Sequence, residues 1–336
     1  MNHPPSGILI SFVIPVYNGI GTLPECMHSL LEQDEAYSYE IILIDDGSSD
    51  GTCELIDSYA DKYSRVTAIH QANEGQTAAR LNGLSKAKGD YVFFADCDDI
   101  AEPFAVKKLT EIILRYLPDI VMFAYSEISG SGKKPVLLGV KDDLYEGKKL
   151  EEINSRMLLM DKDGKSFPRS LWSKIIRRDL AEAALKSIPS EILTGEDMCT
   201  TIGAFLRCRS LYVLDEPLYR YRISRTSQWR ADKEAFRRCL RIVDYLYQCT
   251  EDLSAEFKEQ YYRLTVQQVY SATQRVLRCS LPKEEFLIEY HSVLDDQKIA
   301  SAVRLAYFDN IRLKLKQMIL RFRMYRPVKL FDKKAV

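Results

Sequence analysis

Short apolar runs alternate with amphipathic segments over the first part of the chain. Runs of apolar and β-branched residues without helical spacing indicate buried strands, at 8–15, 40–45, 66–70, 91–94 and 120–126. Between the first four runs, apolar residues recur at helical spacing, at 22–31, 52–63 and 77–88. This alternation predicts a parallel sheet with helices on both faces and functional loops at the carboxyl ends of the strands.

Polar and aromatic residues follow these strands where the predicted rim of the sheet lies. Tyr17, Asp46, Asn73 and Asp98 each come after a strand, so the predicted topology brings them together. A carboxylate such as Asp46 can accept the N–H of a nucleobase, an aromatic ring such as Tyr17 can pack on the base, and a metal at Asp98 can bridge a diphosphate. Taken singly, each residue also fits an ordinary turn or helix entry.

The fourth strand ends in three carboxylates within four positions: Asp96, Asp98 and Asp99. Like charges packed this closely repel one another, and a divalent cation with oxygen ligands relieves the repulsion. The absence of histidine or paired cysteine beside them favours Mg²⁺ or Mn²⁺ over Zn²⁺. The triplet alone leaves open a solvated turn or a helix cap.

The bulk composition narrows the class of protein. With 336 residues, 46% hydrophobic and 28% charged, the chain has the composition of a globular protein with a large core. The net charge of -1 gives no sign of nucleic-acid binding, and the 8 cysteines contain no Cys-x-x-Cys pair, as expected of reduced thiols. Neither a secretory signal segment nor an apolar run long enough to span a membrane is evident, so we expect a cytoplasmic location.

The usual glycine-rich phosphate loops are absent from the sequence. We therefore expect a metal to hold any phosphates.

Four motifs in this order resemble glycosyltransferase family 2, whose members have the GT-A fold. They are VIPVYN at 13–18, IDDGSSDGT at 44–52, NEG with Ala79–Arg80 at 73–80, and FADCDD at 94–99. The resemblance implies an α/β nucleotide-diphospho-sugar transferase fold, with a mostly parallel central sheet flanked by helices. It is strongest over residues 8–109. Cys97 and Leu81 depart from the commoner serine and asparagine, and neither departure removes a charged ligand.

The resemblance also implies roles for single residues in binding a nucleotide sugar. It puts Pro15, Tyr17 and Asp46 at the base, Asp96 near the ribose and Asp98 on the metal. The full donor-binding set that it implies is Pro15, Tyr17, Asp46, Asn73, Gly75, Arg80 and Asp96.

A second group of candidates lies further along the chain. Glu196-Asp197 resembles the family's Glu-Asp motif, in which the Asp is the general base that takes the proton of the acceptor hydroxyl. A helix cap is the alternative for this pair. Trp172 and Glu196 are candidates for the acceptor side, although a tryptophan here is as often a core residue. Arg220 and Arg222 are candidates for the diphosphate side, with an exposed cationic strand edge as the alternative.

These assignments predict direct displacement with inversion at the anomeric carbon, the metal stabilising the leaving nucleotide. The expected reaction moves one sugar from a nucleotide-diphosphate sugar, with UDP-sugar preferred, to a hydroxyl of a glycan or lipid-linked acceptor in cell-surface polysaccharide synthesis. Gln228-Trp229-Arg230 lacks the order of the processive Gln-x-x-Arg-Trp motif. The alternatives are a metal-dependent nucleotidyltransferase, which the lack of Lys and Arg at 16–21 disfavours, and a catalytically silent nucleotide-sugar or membrane-binding module.

We expect residues 1–230 to form the catalytic domain, with a nucleotide-sugar half at 8–125 and an acceptor half at 126–230, and residues 231–336 to form a helical extension. Its last part has an apolar stripe flanked by cations, typical of a helix that lies on an anionic membrane, here the inner face of the cytoplasmic membrane. Packing of the stripe on the catalytic domain is the alternative, and aromatics are not interleaved for nucleic-acid binding. The stripe comprises Tyr307, Ile311, Leu315, Ile319 and Phe322, and the cations are Arg304, Arg312, Lys314, Lys316, Arg321, Arg323, Arg326, Lys329, Lys333 and Lys334.

Overall fold

The computed structural model describes residues 7–130, 132–223, 231–279 and 281–330. Within these residues the strands are β1 (Ile10–Val16), β2 (Tyr39–Asp46), β3 (Val66–Gln71), β4 (Tyr91–Phe94), β5 (Ile100–Ala101), β6 (Ile120–Ser129), β7 (Gly132–Val136), β8 (Asp143–Glu146), β9 (Lys174–Arg177) and β10 (Ser210–Arg222).

The helices in the same ranges are α1 (Leu23–Leu31), α2 (Thr52–Lys62), α3 (Gln76–Lys86), α4 (Ala105–Tyr116), α5 (Gly147–Met157), α6 (Arg178–Lys186), α7 (Glu196–Arg207), α8 (Ala235–Thr250), α9 (Ala255–Leu277), α10 (Lys283–Asp295), α11 (Gln297–Leu305), α12 (Ile311–Arg321) and α13 (Arg326–Leu330), with a 3₁₀ turn at Leu171–Ser173. None of the helices in the described ranges combines the length and the apolar character that a membrane span requires.

The strands form one mixed sheet in the order β3-β2-β1-β4-β9-β6-β10-β5, with β7 on β6 and β8 on β10. The first four strands along the chain are parallel neighbours, as their alternation with helices predicts. In contrast, β9 runs antiparallel to both β4 and β6. The α/β fold class predicted from the sequence is confirmed. Because β1, β2, β3 and β4 are parallel, their carboxyl ends lie along one edge of the sheet.

The observed end of α3 differs from its predicted end at residue 88. The helix ends at Lys86, and Ala87 has an extended backbone. A Cβ atom at Gly89 would lie only 2.8 Å from the carbonyl oxygen of Leu9, so the turn into β4 passes too close to the neighbouring backbone for any side chain. This close approach explains why residue 89 is a glycine.

The chain divides into two compact units. The sheet unit comprises Met1–Leu150, Pro168–Ile188 and Glu196–Ile223, and the helical unit comprises Glu151–Phe167, Pro189–Gly195 and Ser224–Val336. The predicted functional boundary after residue 230 stays a prediction.

Aromatic packing anchors β4 in the core of the sheet unit. The rings of Phe12 and Phe93 are stacked with centroids 5.0 Å apart, and Phe93 also contacts Tyr219 at 5.7 Å. All three side chains are buried, and each contributes about 1.5–3 kcal/mol by leaving water. The strand that carries the acidic turn is therefore fixed by the core immediately before that turn.

The helical unit is organised around α9, which packs against α8, α11, α12 and α13. Val266, Val269 and Tyr270 of α9 are buried, as are Val243 and Leu246 of α8, which agrees with the helical spacing of these residues in the sequence.

Candidate active site

The loop that follows β1 is held by the loop that follows β2. The N–H of Asn18 donates to Ser48 Oγ at 2.9 Å, and the N–H of Ser49 donates to Asn18 Oδ1 at 2.9 Å. Tyr17 lies on this braced loop with 55% of its surface exposed, whereas Pro15 is buried within β1. The ring of Tyr17 is therefore available to a ligand, whereas the side chain of Pro15 is enclosed by the sheet.

Asp46 is a buried carboxylate at the end of β2, held by the loop that follows β3. Its Oδ1 accepts from Gln71 Nε2 and from the N–H of Glu74, and its Oδ2 accepts from the N–H of Gly75, each at 2.9 Å. A carboxylate has about four acceptor positions, so these three bonds orient Asp46 and leave it capacity for one more donor. Asn73, on the same loop, is exposed.

Arg80 of α3 lies at the centre of three carboxylates that are far apart in sequence. Its Nη1 donates to Asp197 Oδ1 at 2.5 Å and to Glu196 Oε1 at 3.2 Å, and its Nη2 donates to Asp96 Oδ1 at 3.3 Å. The side chain of Arg80 is only 1% exposed. Burial lowers the pKa of Arg80, but the three carboxylates raise it more, so its pKa lies above the ordinary value and the group stays charged. We call these four residues the Arg80 network.

Glu196 is the most buried carboxylate of the Arg80 network, with 8% of its side chain exposed, whereas Asp96 is 26% exposed, nearly as much as Asp197. Burial raises the pKa of Asp96 and of Glu196 above the ordinary range, while Arg80 opposes the rise. The side chain of Asp197 is 28% exposed, and its Oδ2 receives no hydrogen bond from any other described residue. Asp197 thus presents one fixed oxygen to Arg80 and one open oxygen to a ligand.

The acidic turn after β4 is braced from β10. The N–H of Arg222 donates to Asp99 Oδ1 at 2.7 Å, its Nε donates to the carbonyl of Asp98 at 2.8 Å, and the N–H of Asp96 donates to Tyr219 Oη at 3.0 Å. Burial and the neighbouring Asp96 raise the pKa of Asp99 to about 8. The half-buried carboxylate of Asp98 receives no hydrogen bond from any other described residue. It is the carboxylate of the turn that is left open.

This arrangement suits a divalent cation that takes most of its ligands from elsewhere. Mg²⁺ in phosphate-transfer sites typically uses one or two carboxylates together with water and substrate phosphates, and Asp98 supplies one such carboxylate. Within the described ranges, one group of three metal-binding side chains brings its ligand atoms within 4.8 Å of one another, and it is Asp45, Cys53 and His70 rather than the acidic turn. The turn therefore offers the open carboxylate of Asp98 and is not a closed cage of protein ligands.

The group around His70 is better explained as a structural link. The ring nitrogens of His70 lie 3.4 Å from Asp45 Oδ2 and 2.9 Å from Asp57 Oδ1, so both are occupied. Burial lowers the pKa of His70, but its bonds to Asp57 and Asp45 raise it more, and the net shift is upward. Burial and Asp45 also raise the pKa of the Cys53 thiol, and a protonated thiol is a poor metal ligand. His70 joins β3 to β2 and α2.

Two of the predicted acceptor and diphosphate residues have other partners. Trp172 is only 7% exposed, and its ring stacks on Tyr219 and Tyr221 with centroids 5.3 and 5.0 Å apart. The structure places Trp172 in the aromatic core and not on an open sugar-binding surface.

Arg220 makes a bidentate ion pair with Glu102, at 2.9 and 2.6 Å, so its guanidinium group is already paired. Of the two predicted arginines, only Arg222 contacts the acidic turn.

Lys174 is a polar residue in this region that the sequence did not single out. It is fully buried, and its Nζ donates to the carbonyls of Pro168 and Ser170 and to Ser173 Oγ. Burial lowers the pKa of Lys174 to about 7. The only sequence signal for a buried lysine at this position is that it directly precedes the apolar residues of a short buried strand.

The sequence also did not single out Gln71. Its position opposite Asp46 in the register of β2 and β3 is known only from the fold.

A family comparison agrees with this geometry. The family model described as "Glycosyl transferase family 2" matches residues 11–182, just over half of the chain. The chain belongs to glycosyl transferase family 2. The match includes the four motifs and Trp172 but ends before Asp197.

Two named glycosyltransferases are similar in sequence to this family 2 protein. It is 32% identical over 214 residues to the uncharacterized glycosyltransferase EpsJ of Bacillus subtilis, covering 64% of this chain and 61% of EpsJ. It is 28% identical over 222 residues to the poly(ribitol-phosphate) beta-glucosyltransferase of Bacillus spizizenii, covering 65% of this chain and 33% of that enzyme. The chain thus spans less than two thirds of the length of either relative.

The solved structure of S. aureus TarS 1-349 in complex with UDP-GlcNAc has the same fold. The TM-score is 0.70 with 18% sequence identity, over 96% of this chain and 91% of the TarS chain. The family 2 protein therefore has a GT-A fold, as the resemblance of its motifs implied.

Proposed function

We propose that this family 2 protein is a metal-dependent inverting glycosyltransferase that moves one sugar from a UDP-sugar to a hydroxyl of a glycan or lipid-linked acceptor. The observation that carries the proposal is the Arg80 network. One buried guanidinium holds Asp96 of the acidic turn and Asp197 of α7, so the donor motif and the base motif of the family share one cation. Asp98 lies two residues from Asp96 with its carboxylate open.

The donor base would lie on the loops after β1 and β2. Tyr17 is exposed and can stack on a base, and Asp46 is oriented by three N–H donors with capacity for one more bond. Asn73 and Gly75 belong to the loop that orients Asp46, and Asp96 is proposed to reach the ribose. Uridine is the preferred base because the TarS structure with the same fold is a complex with UDP-GlcNAc.

Mn²⁺ or Mg²⁺ would be held by Asp98 together with the diphosphate of the donor. When bound, such an ion stabilises the negative charge that develops on the leaving nucleoside diphosphate. Arg222 would support this step by holding the backbone of the acidic turn through the Asp98 carbonyl and the Asp99 carboxylate.

Asp197 would act as the general base. Its Oδ1 is fixed by Arg80, and its open Oδ2 can accept the proton of the acceptor hydroxyl. As that O–H bond breaks, the acceptor oxygen bonds to the anomeric carbon and the bond from that carbon to the diphosphate breaks. One such displacement inverts the configuration at the anomeric carbon. Glu196, paired with Arg80, would then position the base and not contact the acceptor.

The proposed acceptor is a precursor of a cell-surface polysaccharide. The poly(ribitol-phosphate) beta-glucosyltransferase and EpsJ are relatives that support a glycosyl transfer of this kind. A nucleotide-sugar donor is a cytoplasmic metabolite, and a lipid-linked acceptor would place the reaction at the inner face of the cytoplasmic membrane. The identity of the sugar would depend on a few hydrogen bonds in the donor pocket.

The test is UDP release from a panel of UDP-sugars with Mn²⁺, in the presence of candidate glycan and lipid-linked acceptors, together with the anomeric configuration of the product by NMR. We expect Asp197→Asn to bind the donor as the wild type does and to lose about 10²- to 10⁴-fold in turnover. Asp61→Asn, which changes an exposed carboxylate of α2, is the matched control and should keep full turnover. Retained configuration, or full turnover in Asp197→Asn, would contradict the proposed mechanism. Donor binding without turnover for any acceptor would favour a silent binding module.

A further inference from the structure

We infer that one exposed face of α12 docks the protein on an anionic lipid bilayer. The face consists of Ile311, Leu315, Met318 and Phe322, which we call the α12 face. Spacings of four, three and four residues at about 100° per residue place these side chains in one narrow stripe. All four are exposed, and Ile311 and Phe322 expose 76% and 62% of their surfaces.

The opposite side of α12 holds the helix in the helical unit. Ile319 and Leu320 are buried, and Lys316 Nζ donates to Gln267 Oε1 at 3.0 Å. The side chain of Asn310 caps the first turn by accepting from the N–H of Arg312 at 2.9 Å. The helix is therefore formed and anchored before any partner binds, and docking needs no folding step.

This orientation corrects one residue of the stripe predicted from the sequence. The predicted stripe included Ile319, which is only 1% exposed and packs inside the helical unit. Met318 takes its place on the outer face. A shift of one residue rotates a side chain by about 100°, so the true stripe is straighter than the predicted one. Tyr307 precedes the helix and is also exposed.

Cations border the α12 face on both sides. Helical geometry places Arg312 along one edge of the stripe and Lys314 and Arg321 along the other. Arg312 and Arg321 are exposed, and neither is paired with a carboxylate of the described residues. The nearby Asp309 is already paired with Lys162 at 2.6 Å.

The surrounding segment is strongly basic although the whole chain has a net charge of -1. Between residues 304 and 330 the sequence has one acidic residue, Asp309, and several cations; Lys333 and Lys334 of the predicted tail lie outside the described residues. The cations of 304–330 are Arg304, Arg312, Lys314, Lys316, Arg321, Arg323, Arg326 and Lys329.

An anionic bilayer is the partner that uses both properties of this surface. The apolar stripe can enter the boundary between headgroups and acyl chains while the flanking cations contact lipid phosphates. Each cation near an anionic surface strengthens binding about fivefold. An acidic protein or a nucleic acid would pair with the cations but leave four apolar side chains in water. A second copy of the chain could cover the stripe but would bring like charges together.

The test is co-sedimentation of the purified full chain with vesicles of phosphatidylglycerol and phosphatidylcholine, and with vesicles of phosphatidylcholine alone. We expect binding to the anionic vesicles, with about tenfold or greater weakening in Ile311→Asp/Phe322→Asp and in Arg312→Glu/Arg321→Glu. Ile288→Asp, which changes a 71% exposed isoleucine of α10, is the matched control and should bind within about twofold of the wild type.

Equal binding by the wild type and both double variants would overturn the inference, as would a failure of the wild type to bind anionic vesicles. A wild-type dimer in gel filtration that Ile311→Asp converts to a monomer, without vesicle binding, would show that a second copy occupies the face instead. Unchanged melting temperatures exclude unfolding as the cause of lost binding. The assay needs no nucleotide sugar, so its failure leaves the proposed glycosyl transfer untouched.

Discussion

The Arg80 network and the α12 face use positive charge in opposite ways. Arg80 is enclosed by three carboxylates and almost completely buried, whereas the arginines beside the α12 face are exposed and face no carboxylate among the described residues. A buried charge with complete partners orders groups within the chain, because leaving any partner alone is costly. An exposed charge without a partner contributes little to folding and is available to an external ligand. The same residue type therefore serves an internal site in one region and a surface in the other.

The largest expected effect is on the Arg80 network. Arg80→Ala should lower the free energy of unfolding by about 3–5 kcal/mol, because it leaves the buried carboxylate of Glu196 without its cation and removes the partner of Asp96 and Asp197. Arg237→Ala is the matched control, since the exposed Arg237 pairs with the exposed Glu234 at 3.2 Å, and it should cost about 0–1 kcal/mol. Urea denaturation of both variants measures the difference. An equal loss of unfolding free energy in the two variants would show that the buried ion pairs of Arg80 contribute no more than an exposed pair.

The two sides of α12 give the next contrast. Ile319→Ala should lower the free energy of unfolding by about 2–5 kcal/mol, because it leaves a cavity in the helical unit. Ile311→Ala removes an exposed side chain and should change stability by less than about 0.5 kcal/mol. Thermal or urea denaturation checks both values. A large loss in Ile311→Ala would mean that the α12 face is covered within the protein and is not a docking surface.

Arg222 and Arg220 of β10 are expected to have different roles. Arg222 supports the candidate site, and Arg220 supports the fold. Arg222→Gln removes the bond from Nε to the Asp98 carbonyl and the ion pair with Glu25 at 2.5 Å, and it should weaken metal-dependent donor binding about tenfold. Arg220→Gln breaks only the ion pair with Glu102 and should leave donor affinity within about twofold. Calorimetric titration with the donor and Mn²⁺ distinguishes the two. The reverse order would return Arg220 to the diphosphate side, as the sequence first predicted.

The smallest expected effect concerns His70 and pH. Bonds to Asp57 and Asp45 raise the pKa of His70 in the folded protein despite its burial. The stabilisation is therefore complete below the unfolded pKa of about 6.5 and is lost as pH rises through the folded pKa. Because His70 is partly exposed, the loss should not exceed about 1 kcal/mol. His70→Gln should lack this stabilisation. The difference in the free energy of unfolding between wild type and variant should therefore shrink from pH 6 to pH 8. A constant difference would contradict the charged link.

The sequence predicted the fold well, and it placed the candidate donor-side residues at the ends of their strands, because the signals there are local. Each of the parallel strands is an apolar run that ends in its own motif, so residues such as Tyr17 and Asp98 could be placed on the rim from their neighbours alone. The antiparallel insertion of β9 was not predictable, because it depends on pairing with strands about eighty and fifty residues earlier.

The contacts that the sequence could not predict are those whose partners lie far along the chain. Arg80 holds Asp197, which is 117 positions away, and its contact with the donor stays a prediction. Trp172 is an aromatic amid cations in the sequence, but the rings that cover it come from β10. Long-range partners of this kind are fixed by tertiary packing, and a local pattern has no information about them. Predictions for Gln228, Trp229 and Arg230 lie outside the described residues.

The most direct test of the central claim, that the acidic turn and the Arg80 network form a metal-dependent donor site, is a thermal-shift measurement. The melting temperature of the wild type and of Asp98→Asn is recorded with UDP-, GDP-, CMP- and dTDP-sugars, each with and without Mn²⁺ or Mg²⁺. A ligand that binds the native state raises the midpoint. We predict that a UDP-sugar raises the midpoint of the wild type only when the metal is present, and that Asp98→Asn shows no such shift. Equal shifts in both proteins, or a wild type that responds to no nucleotide sugar, would contradict the account.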